Sequence, residues 1–199
     1  MLKIKFYLVC LSVFFLLGCV NNADNSLSSK AGAPLLKGLG NHTHKISSNI
    51  YGVQRYFDQG LVLAFAFNHA ESIRSFKAAQ KLDPSCAMCF WGEALALGPN
   101  INVNSDGKVI MAPQNRLAAF KAINTAIALS NSISDKERAY ISALASRYDG
   151  NPDTNREPLD IAYANAMEIL SNRYPEDDDA ASLFAEALMN TMPLSLIHI

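Results

Sequence analysis

The sequence predicts an all-α protein built from successive helix pairs, and three observations lead to that prediction. From Ile46 onward, apolar residues recur at intervals of three and four, which is helical spacing, and no convincing strand alternation appears. Asn68, with Glu71 three residues later, is typical of a capped helix start. Asp83-Pro84 then ends that helix and suits the start of another, because proline is tolerated at the first helical position.

Length and charge limit the classes of function. A chain of 199 residues is long enough for one domain with a sizeable core. Its formal net charge is −1 and no basic cluster appears, which argues against a nucleic-acid partner. The sequence has no glycine-rich nucleotide loop, no Gly-x-Ser-x-Gly elbow and no His-Glu-x-x-His zinc helix. We therefore predict no cofactor, and an enzyme is not the favoured class of function.

The N-terminus has the features of a targeting segment. Lys3 and Lys5 precede an unbroken apolar run, Phe6–Leu17, which is shorter than the ~20 residues of a comfortable transmembrane helix. Residues 16–19 read LLGC and resemble a bacterial lipobox. The resemblance implies that residues 1–18 are a signal peptide, that Cys19 is lipidated, and that the protein is anchored at an outer membrane and faces the periplasm. An uncleaved signal anchor is the alternative.

Three further segments complete the predicted domain organisation. Residues 19–45 are expected to be a flexible tether, because Asn21–Lys37 is polar, rich in small residues and without a sustained period. Residues 46–193 hold the helices. Leu194–Ile199 reads LSLIHI and resembles the translated start of a common transposon-derived sequencing adapter. We therefore expect residues 194–199 to be adapter read-through and the natural protein to continue past Pro193.

The helices of residues 46–193 are predicted from their apolar faces. The first helix presents Val53, Tyr56, Phe57, Gly60, Leu61, Ala64 and Phe67, and the second presents Ile73, Phe76, Ala79 and Leu82. A second pair includes Trp91-Gly92 and, after an insertion, Ala119, Phe120, Ile123 and Ala126. Asp135–Tyr148 and Leu159–Tyr174 form a third pair. Asp177-Asp178-Asp179 begins a fourth unit, where the helix dipole favours acidic charge.

Four of these positions carry a family resemblance. Gly60, Phe76, Ala79 and Pro84 fall at the spacing of the tetratricopeptide (TPR) consensus, a helix–turn–helix repeat of roughly 34 residues. Ser72 departs from the consensus, which prefers alanine there. The phrases GLGNHTHKIS, FNHAESIRSF and CAMCFWGEALALGPNIN also resemble a family of uncharacterised bacterial TPR proteins. The resemblance implies an antiparallel helix-pair solenoid that binds a peptide or protein partner on its concave surface, and it implies no established reaction.

Cys86-Ala87-Met88-Cys89 is the sharpest chemical motif. On a helix the two thiols share a face in the first turn after Pro84, where the helix dipole lowers the pKa of a thiol. A thioredoxin-like context needs a preceding strand, and none is visible. Covalent haem attachment needs a histidine after the second cysteine, where Phe90 stands. A structural disulfide or two packed thiols is the favoured interpretation, with redox activity and metal binding as alternatives.

Three histidines are candidate metal ligands. His42 and His44 precede the first helix, and His69 lies at its far turn. Together with Cys86 and Cys89 they offer the donor atoms of a zinc or soft-metal site. Two histidines at i, i+2 in a loop are a weaker pattern than two at i, i+4 on a helix. Ordinary turn histidines are therefore the alternative.

The insertion Gly98–Gln114 is long for a connection in a helical repeat and is a candidate binding loop. Its candidate residues are Asn100, Asn102, Asn104 and Asp106. The last three are spaced as at the start of an EF-hand calcium loop, but Pro113 stands where that loop needs a glutamate. We therefore expect a structured loop that shapes the concave surface rather than a calcium site.

The sequence as a whole predicts a lipid-anchored, TPR-like scaffold that binds a peptide or protein partner in the cell envelope. One alternative is a metal- or haem-handling envelope protein that uses His42, His44, His69, Cys86 and Cys89. The other is an enzyme subunit whose catalytic residues lie beyond Pro193.

Overall fold

The computed structural model describes residues 23–105 and 108–192 of the chain. Its helices are α1 (residues 23–31), α2 (Val53–Phe65), α3 (His69–Leu82), α4 (Ala87–Leu97), α5 (Pro113–Leu129), α6 (Asp135–Ala145), α7 (Arg156–Arg173) and α8 (Asp178–Thr191). A short 3-10 helix, Ser130–Ser132, follows α5. Two antiparallel two-residue strands, β1 (Asn104–Ser105) and β2 (Lys108–Val109), form a hairpin in the loop between α4 and α5. The prediction of an all-α fold is confirmed.

Successive helices from α2 to α8 pack against one another along the chain. In addition, α2 contacts α4, and α4 contacts α6, so that alternate helices lie side by side. The predicted signal peptide, Cys19 and residues 194–199 lie outside the described residues. Within residues 23–105 and 108–192, no helix combines the length and the apolar character that a bilayer crossing requires.

Phe76 is the contact that brings α2, α3 and α4 together. Its side chain on α3 is fully buried. A Cβ atom added at Gly60 on α2 would lie 2.9 Å from Cε1 of Phe76, and one added at Gly92 on α4 would lie 2.2 Å from it. Only a residue without a side chain leaves room for the ring at these two positions. The ring of Phe57 lies 5.4 Å from that of Phe76 and extends the same core.

The structure differs from the prediction in the capping of α3 and in the residue at which α4 begins. α3 begins after Asn68 as expected, but within the described part of the chain the Asn68 side chain makes no capping hydrogen bond. The chain enters α3 through Phe67, whose φ is 57°, and this tight turn moves the Asn68 backbone away from capping geometry. α4 begins at Ala87 rather than at Pro84, because Asp83 accepts hydrogen bonds from Ser85 and holds a turn there.

Parts of the predicted flexible tether pack against the helices. Leu27 and Ala31 of α1 are buried, and so is Ala33. The hydroxyl of Tyr56 donates a hydrogen bond of 2.6 Å to the carbonyl oxygen of Ala33. Residues 23–31 therefore form a helix where no sustained period was expected, and the tether role of residues 19–45 stays a prediction. A few apolar residues within a polar segment give too short a pattern to indicate packing, and their partners on α2 lie more than twenty residues away.

Candidate functional site

Residues 42–48, called here the N-terminal strap, make hydrogen bonds to side chains at the start of α2, the end of α3 and the start of α6. Gln54 on α2 holds the strap by donating a hydrogen bond of 2.9 Å to the carbonyl oxygen of His44. The backbone N–H and the hydroxyl of Ser47 both donate to the carboxylate of Glu137, in the first turn of α6. The hydroxyl of Ser48 donates to Asp83, at the end of α3. The strap therefore joins α2 and α3 to α6, which lies much later in the sequence.

The strap also places two histidines at the start of α8. Nδ1 of His44 lies 2.7 Å from Oδ2 of Asp179, and Nε2 of His42 lies 2.9 Å from Oδ1 of the same carboxylate. One donor atom each from His44, Asp177 and Asp179 lie within 4.8 Å of one another. These residues, with His42, are called here the His–Asp cluster. Chemically, the cluster offers imidazole nitrogens and carboxylate oxygens to a cation.

Asp177 is the carboxylate of the cluster that has a lysine partner. Nζ of Lys136 donates to Oδ2 of Asp177 at 2.8 Å, and the backbone N–H of Ala180 donates to the other oxygen. Burial acts to raise the pKa of Asp177, but these hydrogen bonds and the lysine charge outweigh burial, and the pKa is lowered. Asp177 is therefore ionised at neutral pH.

The surroundings of His44 are apolar and aromatic. His44 is only 4% exposed, and its ring packs edge-on against Tyr140 with 5.0 Å between ring centroids. Burial raises the pKa of the Tyr140 hydroxyl, and the charges of Asp177 and Asp179 raise it further. Among the residues that the structure describes, the Tyr140 hydroxyl and Nε2 of His44 are buried without a hydrogen bond of normal geometry. Such groups cost free energy when nothing pairs with them.

A second site, called here the inner cavity, lies at the other end of the same helices. It has a volume of about 120 Å³. Its lining comes from α2, α4 and α8, from the first residue of α3, and from the turns after α2, α4 and α6: Ala64, Phe65, Phe67, His69, Leu95, Pro99, Asn100, Arg147, Leu183, Glu186 and Met189. Apolar walls that enclose a few polar groups are typical of a ligand pocket.

Arg147 supplies a buried positive charge to the inner cavity. Its side chain is 1% exposed, and its guanidinium lies 4.5 Å above the ring of Tyr163. Nη1 lies 3.7 Å from Oε2 of Glu186, and Nε lies 3.4 Å from Oδ1 of Asp160. Burial acts to lower the pKa of Arg147, but the charge of Glu186, with smaller contributions from neighbouring groups, reverses this effect and raises the pKa. The guanidinium is therefore held charged and fixed beside the cavity.

His69 and Glu186 add further polar atoms to the inner cavity. In the described ranges, both ring nitrogens of His69 and Oε2 of Glu186 are buried and make no hydrogen bond of normal geometry. Burial lowers the pKa of His69, and the charge of Glu186 only partly opposes this effect. His69 is therefore neutral at pH 7 and can either accept or donate a hydrogen bond.

The five residues of the predicted metal site are not brought together. His42 and His44 meet Asp179, whereas His69 lies in the inner cavity. Cys86 and Cys89 are joined to each other by a disulfide and are both buried at the start of α4. While the disulfide is intact, neither cysteine offers a free thiol to a metal ion or to covalent haem attachment.

The predicted binding loop contributes one of its residues to the inner cavity. Asn100 is 9% exposed and lines the cavity, and its Oδ1 accepts a hydrogen bond from the backbone N–H of Asn102. Asn102 is exposed, and Asn104 belongs to β1. Asp106 lies outside the described residues.

Four important residues of these sites carry no signal that the sequence analysis could use for a site. They are Arg147, Asp177, Asp179 and Glu186. In the sequence, the two aspartates indicate only charges that a helix dipole favours. Asp179 meets His44 across 135 residues of sequence, a separation that no local pattern reveals.

The comparisons with known proteins give no further guide to family or function. No protein-family model, no curated protein and no solved structure matches this chain. The TPR resemblance therefore stays a prediction.

Proposed function

We propose that the chain is a TPR-like helix-pair solenoid, anchored by lipid in the cell envelope, and that it binds a peptide segment of a partner protein in the inner cavity. The side-by-side contacts of α2 with α4 and of α4 with α6 support the solenoid. In such folds the first helix of each pair lines the concave surface. α2, α4 and α8, the first helices of their predicted pairs, all line the inner cavity.

The observation that carries this proposal is the combination of apolar walls with buried Arg147, its half-buried partner Glu186, and His69. A space of about 120 Å³ suits a single side chain of a bound peptide. Phe65, Phe67 and Met189 are each partly exposed at the cavity, and they offer apolar surface to that side chain. The polar atoms at the cavity offer hydrogen bonds to a peptide group beside it.

A displayed library of random peptides, selected on the purified chain, tests the proposal. We expect selection to converge on peptides with one apolar side chain next to a hydrogen-bonding group. Met189 lines the cavity and is 44% exposed, so Met189→Trp fills the space and should weaken binding of a selected peptide at least about tenfold. Fluorescence anisotropy with the labelled peptide measures the change.

Ile127→Trp is the matched control. Ile127 lies on α5 and is also 44% exposed, but it does not line the inner cavity. This variant should bind the selected peptide as the unaltered chain does. The proposal fails if selection yields no shared sequence pattern, or if the two tryptophan variants weaken binding equally.

A further inference from the structure

Four side chains of ligand type converge at the start of α8. One donor atom each from His44, Asp177 and Asp179 lie within 4.8 Å of one another. His42 joins them through Nε2, which lies 2.9 Å from Oδ1 of Asp179. Two imidazoles and two carboxylates form a donor set that zinc accepts in a four-coordinate site.

The donor atoms of His44, Asp177 and Asp179 are close enough to share one zinc ion, and His42 joins them by a side-chain movement from its contact with Asp179. Nδ1 of His44 and Oδ2 of Asp179 are 2.7 Å apart. Two ligand atoms of a tetrahedral zinc ion, each about 2.1 Å from the metal, are about 3.4 Å from each other. The side chains of His42 and Lys136 are each 41% exposed, so both have room to move when an ion enters.

The charge of the cluster also favours a cation. Lys136 faces Asp177, whereas the ion-pair partners of Asp179 in the described structure are His42 and His44. Asp179 is 7% exposed, and its two carboxylate oxygens face imidazole nitrogens rather than a lysine or arginine. A bound divalent ion adds positive charge beside this buried carboxylate.

From these observations we propose that His42, His44, Asp177 and Asp179 bind one divalent transition-metal ion of the zinc class, and that the ion displaces Lys136 from Asp177. Calcium prefers six to eight oxygen ligands, so a site with two imidazoles selects zinc-class ions over calcium. The site does not depend on peptide binding in the inner cavity.

Titration of zinc chloride into the chelator-treated chain, without a polyhistidine tag, tests the proposal by isothermal calorimetry. We expect one ion per chain and no comparable signal with calcium chloride. His42→Gln removes one ligand and should weaken zinc binding at least about tenfold. Lys136→Met removes the competing ammonium and should tighten it several-fold. Both side chains are partly exposed, so both variants should fold; a circular dichroism spectrum checks this.

His69→Gln is the control, because His69 lies in the inner cavity and not in the His–Asp cluster. Zinc affinity should be unchanged in this variant. The ordinary alternative is that His42 and His44 only fasten the strap to α8. Absence of zinc binding by the unaltered chain overturns the proposal in favour of that alternative. The proposal is also overturned if His69→Gln weakens zinc binding while His42→Gln and Lys136→Met leave the zinc affinity unchanged.

Discussion

Gly92 shows how a single residue determines the spacing of two helices. A Cβ atom there would lie 2.2 Å from the ring of Phe76, which packs between α2 and α4. We expect Gly92→Ala to lower the free energy of unfolding by about 2–3 kcal/mol, because the buried ring cannot move aside without disturbing the core. Urea denaturation of the purified chain measures this loss.

A second substitution, Phe76→Leu, shows whether the cost of Gly92→Ala comes from steric overlap with the ring or from another effect of the added methyl group. Phe76→Leu shortens the side chain that the methyl group would strike. The cost of Gly92→Ala should therefore be smaller in the Phe76→Leu background than in the unaltered chain. If the cost is the same in both backgrounds, close contact with Phe76 is not its cause.

For single residues, the sequence predicts which side chains are buried better than it predicts which polar side chains meet in a functional site. Gly60, Phe76 and Ala79 follow helical spacing within a short stretch, and all three are buried in the structure. His44 and Asp179 also form a specific contact, but they are 135 residues apart and neither has a local pattern. Local periodicity reports which face of a helix is buried, whereas a polar cluster depends on which distant helices meet.

The strap is the element whose stability depends most clearly on pH. Glu137 accepts hydrogen bonds from Ser47 of the strap and from Ser134 at the start of α6. Burial acts to raise the pKa of Glu137, but these hydrogen bonds outweigh it and lower the pKa below the ordinary value of 4.5. The resulting stability is present above about pH 4.5 and is lost as the pH falls through the folded-state pKa.

Glu137→Gln tests that dependence. The variant should lose about 3 kcal/mol of unfolding free energy at pH 7, since several hydrogen bonds to a buried charged group are weakened together. Its stability should then approach that of the unaltered chain as the pH falls below about 4.5. Urea denaturation at a series of pH values measures both effects. Glu168→Gln, at an exposed position on α7, is the control and should not change the pH profile. An equal loss at pH 3 and pH 7 would contradict the assigned role of the carboxylate.

Among the elements, helices were predictable and the segment before them was not. Helical spacing and turn residues located α2, α3 and the later pairs, with starts that differed by a few residues. Residues 23–48 have few apolar positions and much polar sequence, so their packing was not predicted. Their order comes from contacts with α2, α6 and α8, for example Ser47 with Glu137, across 90 residues.

At the scale of the whole molecule, the strap and the inner cavity lie at different ends of the helices. The strap meets the first turns of α6 and α8 through Glu137 and Asp179. The inner cavity lies against Leu95 near the end of α4 and Met189 near the end of α8. The proposed peptide binding at the cavity and the attachment of the strap would therefore depend on the same helical scaffold but on different side chains.

The proposed lipid anchor leads to a prediction about the whole molecule in a bacterial cell. Acyl chains on Cys19 together hold a protein stably at a membrane, because each buried methylene contributes about 0.8 kcal/mol. When the chain is expressed with labelled palmitate, we expect label to appear on the protein and the membrane fraction to retain it through a carbonate wash. Cys19→Ala should abolish labelling. Cys10→Ala is the matched control: Cys10 lies within the predicted signal peptide, residues 1–18, so its replacement should not affect labelling of the mature chain. An unaltered chain that carries no label would instead support the uncleaved signal anchor, which holds the protein by its apolar run and needs no acyl chain.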